Sequence, residues 1–251
     1  MKALITGASS GIGRDMARVL ASYGIDLVIV ARRGERLQEL KAELSDQVDV
    51  TTVCLDLAEP GNCCLLYEKF RREPIDILIN NAGFGLAGAF EQTDLDRELA
   101  MIDTNVKAVH ILSKLFLHDF IERDFGYILN VASSAAFLPG PLMAAYYASK
   151  AYVRNLTLAM RKEVQKQHAN VAITTLCPGP VQTEFEQVAH VKFAVAGKAS
   201  DEVAKTAIDG MFANQAQVIP GPLMKLAYIS CKLFPTAWLS EVSYHIQKRK
   251  G

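Results

Sequence analysis

Ala3-Leu4-Ile5-Thr6-Gly7-Ala8-Ser9-Ser10-Gly11-Ile12-Gly13 is the stretch that decides the fold, because an apolar run of strand length feeds directly into a turn with three glycines. A helical segment from Arg14 to Tyr23 follows, with Gly24 as its stop. A turn of this kind between a strand and a helix N-terminus lets the backbone approach a pyrophosphate. The phosphate charge then meets free N–H groups and the positive end of the helix dipole. Glycines can serve turn geometry alone, but three of them at the first strand–helix junction point to a dinucleotide site.

Outward from this turn, short apolar or β-branched runs recur at Asp26–Ala31, Val48–Cys54, Ile75–Ile79, Tyr127–Val131, Val171–Cys177 and Gln217–Ile219. Several are apolar throughout, as strands covered on both faces must be. Segments with helical spacing lie between them, such as Met16, Val19, Leu20 and then Leu37, Leu40, Leu44. Alternating strands and helices predict an α/β fold, a doubly wound parallel sheet with helices on both faces. No linker, repeat or low-complexity tract divides the chain, so one domain is expected over residues 1–251. From Gly221-Pro222 the residues turn apolar (Leu223, Met224, Leu226, Ile229, Leu233, Phe234, Trp238, Leu239), and 221–251 reads as an extension of the same domain.

Composition narrows the partners. Half of the chain is hydrophobic and 27 basic residues balance 27 acidic ones, so no global field draws it toward nucleic acid or an anionic membrane. Cys54, Cys63, Cys64, Cys177 and Cys231 form no C-x-x-C pair and read as reduced thiols. The run after Met1 is too short for a signal peptide's apolar core, and no stretch approaches the roughly 20 apolar residues of a membrane span. A cytoplasmic location is expected. The histidines His110, His118, His168, His190 and His245 suggest no metal site.

The spacing G-x-x-x-G-x-G departs from the usual dinucleotide fingerprint, and here the sequence resembles the short-chain dehydrogenase/reductase family. More of that pattern follows in order: Asn80-Asn81-Ala82-Gly83 after the fourth strand, Asn105 in Asp103-Thr104-Asn105-Val106, Ser133 after the fifth, then Tyr146-Tyr147-Ala148-Ser149-Lys150 and Pro178-Gly179-Pro180-Val181-Gln182-Thr183. The resemblance covers roughly residues 1 to 220. It implies a Rossmann-type fold and interconversion of a carbonyl and a secondary alcohol by hydride transfer, without a metal. Gly7, Ser9, Ser10, Gly11, Ile12 and Gly13 would form the phosphate turn. Asp56 would contact the adenine with Leu57 beside it, and Asn81, Ala82 and Gly83 would pass under the adenosine ribose. Pro178 and Gly179 belong to the last motif, whose Val181 and Thr183 would meet the nicotinamide carboxamide. Asp56 could equally be a helix N-cap.

Cofactor choice is read at the end of the second strand. An NAD-preferring fold usually carries a carboxylate there for the ribose hydroxyls, whereas this chain has Ala31 followed by Arg32 and Arg33, with no carboxylate directly adjoining them. Planar cations suit a 2′-phosphate, so NADP(H) is expected over NAD(H).

Tyr146 and Lys150 are four apart in the helical segment Leu142–His168 and share a face. A unit charge about 4 Å from a phenol, at an effective dielectric near 20, is worth roughly 4 kcal/mol, or about 3 pKa units. That would bring the phenol from its usual value near 10 toward about 7, where it can exchange a proton as the acid/base. Neither Tyr147 nor Tyr152 has a lysine four residues on. In the family Ser133, at the shared spacing before Tyr146, holds the substrate oxygen, Asn105 shapes its helix and supports a water leading to Lys150, and Lys150 also holds the nicotinamide ribose hydroxyls.

The expected substrate is an apolar carbonyl or alcohol, ketone, acyl or steroid-like. The flanking residues are Phe84, Leu86, Phe137, Leu138, Leu142, Met143, Phe185, Val188 and Phe193, and 183–197 is read as a lid. A homodimer or homotetramer through the segments Leu95–Arg123 and Leu142–His168 is expected. Weak peripheral membrane contact through the apolar tail and Lys248-Arg249-Lys250 is the lesser alternative. Two rival functions are a non-catalytic dinucleotide-binding regulator of the same fold and a nucleotide-sugar epimerase. The epimerase would need a large C-terminal domain.

Overall fold

The computed structural model describes residues 1–189 and 197–248. Within them, strands and helices alternate in the order the sequence predicts. β1 (Lys2–Thr6), β2 (Asp26–Ala31), β3 (Val50–Cys54) and β4 (Ile77–Asn80) are linked by α1 (Gly11–Ser22), α2 (Gly34–Leu44) and α3 (Pro60–Phe70). A helical stretch of α4 (Leu95–Ile102), a π-helical turn (Asp103–Ala108) and α5 (Val109–Glu122) leads to β5 (Gly126–Val131). A 3₁₀ turn (Ser134–Phe137) and the long α6 (Ala144–Lys166) then lead to β6 (Val171–Leu176). Beyond it come α7 (Phe185–Ala189), α8 (Ser200–Phe212), β7 (Gln217–Val218), α9 (Pro222–Leu233) and α10 (Thr236–Lys248).

The strands form a parallel sheet in the order β3-β2-β1-β4-β5-β6-β7. Alternate residues of each strand serve opposite faces. Ala3, Ile5, Leu27, Ile29, Ile77 and Ile79 pack with Met16 and Leu20 of α1, Leu37 and Leu40 of α2, and Ile208 and Met211 of α8. Leu4, Val28, Val30, Leu78 and Ile128 point the other way, onto Leu66 and Phe70 of α3 and Leu112, Phe116 and Phe120 of α5. Burying each such side chain stabilises the fold by roughly 1.5–3 kcal/mol. With both faces covered, the inner strands are mostly apolar, with Asn80, Asn130, Thr174 and Thr175 as buried exceptions, whereas the edge strand β3 exposes Thr51 and Cys54.

β1 lies between β2 and β4, so the chain reverses its direction of growth across the sheet there, and the C-terminal ends of these strands open a crevice. Strand ends shift by one or two residues from the sequence reading, and three larger details differ. α1 begins at Gly11, inside the glycine turn, three residues before the expected Arg14. The segment Leu95–Arg123 is helical, but its centre widens into the π turn that carries Asn105. Leu142 stands outside α6 with φ of 64°, so that helix starts at Ala144. Among the described residues no helix is long and apolar enough to cross a membrane. All five cysteines are free. Phe193, His190 and most of the second half of 183–197 lie outside the described residues, as do Arg249 and Lys250.

Candidate active site

The glycine turn forms the floor of the crevice. Gly7 has φ of +67° and Gly11 +52°, a left-handed backbone that suits glycine. A Cβ at Gly13 would strike Asn81 Nδ2 and come within 2.5 Å of Gly7 O, so the first turn of α1 packs directly on the turn beneath it. Thr6 fixes the neighbouring wall, its Oγ1 accepting from the N–H groups of Asn81 and Ala82, each at 3.0 Å. Asn81 Nδ2 in turn donates to Thr6 O at 3.0 Å and Gly7 O at 3.1 Å. Ser10 occupies the N-cap of α1 without a side-chain bond to the helix N–H groups, which leaves them to an anion. Turn, helix end and missing Cβ atoms together fit a dinucleotide pyrophosphate.

A cleft of about 430 Å³ runs over this floor. Of the residues expected to meet a cofactor, Gly7, Ser9, Ser10, Gly11, Ile12, Arg32, Arg33, Asp56, Leu57, Asn81, Ala82, Gly83, Tyr146, Lys150, Pro178, Gly179, Val181 and Thr183 all line it. Gly13 is absent from the lining because its role is packing. Asp56 is not the N-cap of α3, a position Glu59 takes; its Oδ1 instead accepts from Ala58 N at 3.0 Å.

At the end of β2 the two arginines differ. Arg32 is largely exposed and 3.6 Å from Asp56. Arg33 folds back over the turn, its Nε and Nη2 donating to Ser9 Oγ at 3.2 and 3.1 Å and Nη2 to Ser10 Oγ at 2.7 Å. A carboxylate does reach this region, although none adjoins it in sequence: Glu184, after β6, accepts from Arg33 Nη1 at 2.7 Å and from Arg36 Nη1. Arg36 and Arg33 together pull its carboxyl down to about 2.

Ser133, Tyr146 and Lys150 converge at the other end of the cleft. Tyr146 is buried, and burial pushes its phenol above the usual value, while a hydrogen bond with Ser133 offsets part of that rise. The expected lowering by Lys150 is therefore overturned. Lys150 Nζ lies 6.0 Å from the ring centre and donates to Val131 O at 3.0 Å, so its charge is turned toward a backbone carbonyl. Burial holds this ammonium down at about 8. Asn105 stands behind the cleft, fully buried in the π turn. Its Oδ1 accepts from Phe84 N at 3.0 Å, and its Nδ2 donates to Phe84 O at 2.9 Å and Ser149 Oγ at 3.2 Å. It joins the loop after β4 to α6, and a Cβ on Gly83 would meet both its Oδ1 at 2.7 Å and Lys150 Nζ at 3.3 Å.

Phe84, Met143, Phe185 and Val188 line the cleft as expected, and Phe185 packs on Tyr146 with ring centres 5.4 Å apart. Phe137, Leu138, Leu142 and Leu86 do not line it. The 3₁₀ turn after Ser133 swings Phe137 outward onto Tyr228 of α9, at 4.7 Å, and Leu86 is spent in the cluster beneath Tyr146. Sequence reading missed Thr104, Tyr147, Glu184 and Gln247, which also line the cleft. Gln247 of α10 donates to the Tyr147 hydroxyl, so the C-terminal helix returns to the site. No motif marks a glutamine in an amphipathic tail, and only its contacts reveal it. A group of His118, Asp119 and Glu122 with ligating atoms within 4.8 Å lies along α5, outside the cleft lining, where Asp119 also bonds Tyr67.

The family model described as short chain dehydrogenase matches residues 1–192. A protein of Chromohalobacter salexigens named sulfoacetaldehyde reductase 2 is 41% identical over 191 residues, 74% of this chain and 74% of that protein. A short-chain dehydrogenase from Sphingobium yanoikuyae, solved in complex with NADPH, superposes with a TM-score of 0.85 at 30% identity over 92% of each chain. The bulky-bulky ketone specific alcohol dehydrogenase from Comamonas testosteroni superposes with a TM-score of 0.80 at 27% identity, again over 92% of each chain.

Proposed function

This chain belongs to the short-chain dehydrogenase family, a nicotinamide-dinucleotide oxidoreductase of alcohol and carbonyl groups, and on that premise we propose that it is an NADPH-dependent carbonyl reductase for apolar ketones. The observation that carries this reading is the convergence of Ser133, Tyr146 and Lys150 on the same cleft as the glycine turn and Arg33. Gly7, Ser9, Ser10, Gly11 and Ile12 would hold the pyrophosphate, Arg32 and Arg33 the 2′-phosphate, and Asp56, Leu57, Asn81, Ala82 and Gly83 the adenosine. Pro178, Gly179, Val181 and Thr183 would hold the nicotinamide end. A nicotinamide held there would supply the hydride for the carbonyl carbon.

The protein's own share is the proton and its placement. A phenol kept protonated by burial is suited to donate to the substrate oxygen. Ser133 holds that oxygen as charge gathers on it, a contribution of roughly 3 kcal/mol. Lys150 binds the ribose hydroxyls and supplies positive charge below about pH 8. Asn105 acts behind them, fixing the loop after β4 against α6 and so the spacing of Gly83 and Lys150.

Phe84, Met143, Phe185 and Val188 favour an apolar substrate. The relative named for sulfoacetaldehyde supports a second reading, a small anionic aldehyde. Among the described residues the only cations in the cleft are Arg32, Arg33 and Lys150, already assigned to the cofactor, which favours the first. Segment 183–197 is proposed as a lid on a domain that spans the chain. Its neck is pinned by Gln182 N to Lys198 O at 2.9 Å and Lys198 N to Pro180 O at 3.0 Å. A cytoplasmic homodimer or homotetramer is proposed; exposed Leu95, Leu99 and Tyr152 on the two long helical segments supply an apolar contact, and a monomer mass by light scattering would remove it.

The test is incubation with NADPH or NADH and a panel of aliphatic and aromatic ketones, steroid ketones and small charged aldehydes. Stoichiometric NADPH oxidation by the apolar ketones is expected. Consumption only with sulfoacetaldehyde would favour the second reading, and binding without consumption across the panel would leave a dinucleotide-binding regulator.

A further inference from the structure

Glu184 stands where two parts of the cleft meet. It is two residues beyond the pinned neck of the segment after β6, and Val188 N bonds its backbone carbonyl at 3.0 Å in the first turn of α7. The next residue, Phe185, lies against Tyr146 and above Gly85, where a Cβ would come within 2.7 Å of its ring. The preceding residue, Thr183, covers the glycine turn, since a Cβ at Gly11 would lie 2.9 Å from its methyl. The carboxylate itself reaches away from the substrate wall to Arg33 and Arg36 at the start of α2. One side chain thus ties the substrate side of the cleft to the adenosine side.

We propose that Glu184 is a cofactor-sensing clasp: it holds Thr183–Ala189 on Arg33 and Arg36, and a 2′-phosphate loosens it by competing for the Arg33 guanidinium. This rests on the NADP(H) reading above. Arg33 spends Nε and Nη2 on the hydroxyls of Ser9 and Ser10, which leaves Nη1, now on Glu184, as the donor for an incoming anion. A carboxylate and a phosphate sharing one guanidinium repel each other, so a bound phosphate weakens the hold on Glu184. Linkage makes the effect reciprocal, and the clasp weakens phosphate binding by the same factor. Arg36 keeps the carboxylate nearby, so a loosened clasp can reclose. Because Phe185 follows directly, the adenosine end of the cofactor adjusts the wall beside Tyr146.

The experiment uses fragments and so does not depend on turnover. Adenosine 2′,5′-bisphosphate and 5′-AMP are titrated by calorimetry into the wild type, Glu184→Gln and Glu184→Ala, with melting temperatures as a check on folding. The wild type should bind the bisphosphate more tightly. Both variants should tighten it further by about tenfold, the worth of one charge-assisted hydrogen bond, and leave 5′-AMP within about twofold. Hydrogen exchange of residues 185–189 should rise on adding the bisphosphate to the wild type and stay constant in the variants. If the wild type binds 5′-AMP as well as the bisphosphate, the NADP(H) reading falls and the clasp with it. If the wild type prefers the bisphosphate but the variants keep the same preference and the same exchange response, the clasp alone falls.

Discussion

The glycine turn and the segment after β6 bound the same cleft by opposite means. Residues 7–13 act through the backbone: left-handed glycines, a helix start without a side-chain cap, and Asn81 and Thr6 locking the next loop in place. The segment from Thr183 to Ala189 acts through side chains that reach far along the sequence, to Arg33, Arg36 and Tyr146. A backbone site is compact in sequence and intolerant of added atoms. A side-chain site is dispersed, and exchanging one member re-tunes it.

Between these two regions, the larger expected effect lies in the first. Gly13→Val places atoms where Gly7 O and Asn81 already stand. Overpacking of that kind costs about 1–3 kcal/mol, so the melting temperature should fall and dinucleotide binding should weaken about fivefold or more; Val188→Ala, across the cleft, should lower both less. Equal losses would break the contrast.

The next effect divides the two arginines. Arg33→Ala should weaken NADPH by about 1–3 kcal/mol, the range for a lost charged hydrogen bond, while sparing NADH. Arg32→Ala should cost less, because that side chain is 67% exposed and, among the described residues, pairs with Asp56 at 3.6 Å. Titration of both cofactors checks this, and equal losses for both would remove the phosphate-binding role.

The pH profile sharpens the picture at the substrate end. The Lys150 ammonium is charged below about 8 and discharges above it, so carbonyl reduction should decline as pH rises through that value. Alcohol oxidation needs the phenolate of Tyr146, which burial makes scarce, so its rate should still be climbing beyond the usual phenol value. Paired rate profiles in the two directions check it, and parallel profiles would contradict the assignment.

The smallest effect belongs to the substrate wall. Along a ketone series, kcat/KM should rise by up to roughly 1 kcal/mol per added buried methylene until the cleft is full. A flat series would mean that Phe84, Met143, Phe185 and Val188 are packing groups only.

Legibility followed the same divide. The parallel sheet was readable because strands buried on both faces are mostly apolar, and the turn because glycine spacing encodes backbone geometry directly. The spacing of Ser133, Tyr146 and Lys150 anticipated that they share one cleft, but the sign of the Tyr146 shift was not legible. It depends on burial and on Lys150 turning to Val131, and neither is written in a four-residue interval. Glu184 and Gln247 stayed hidden for another reason: their partners lie 151 and 100 residues away, and no periodicity links them. Phe137 was misplaced because a single 3₁₀ turn decides which way it faces.

In the proposed reaction Tyr146 gives the proton that completes carbonyl reduction, and Tyr146→Phe, with NADPH titration and single-turnover kinetics on the same preparation, puts that role to the test. The phenyl ring keeps the packing against Phe185 and removes only the hydroxyl. NADPH affinity should stay within about twofold while turnover falls by about 10²–10⁴-fold, the usual worth of a placed general acid. Turnover above about a tenth of wild type, with binding intact, would contradict the assignment.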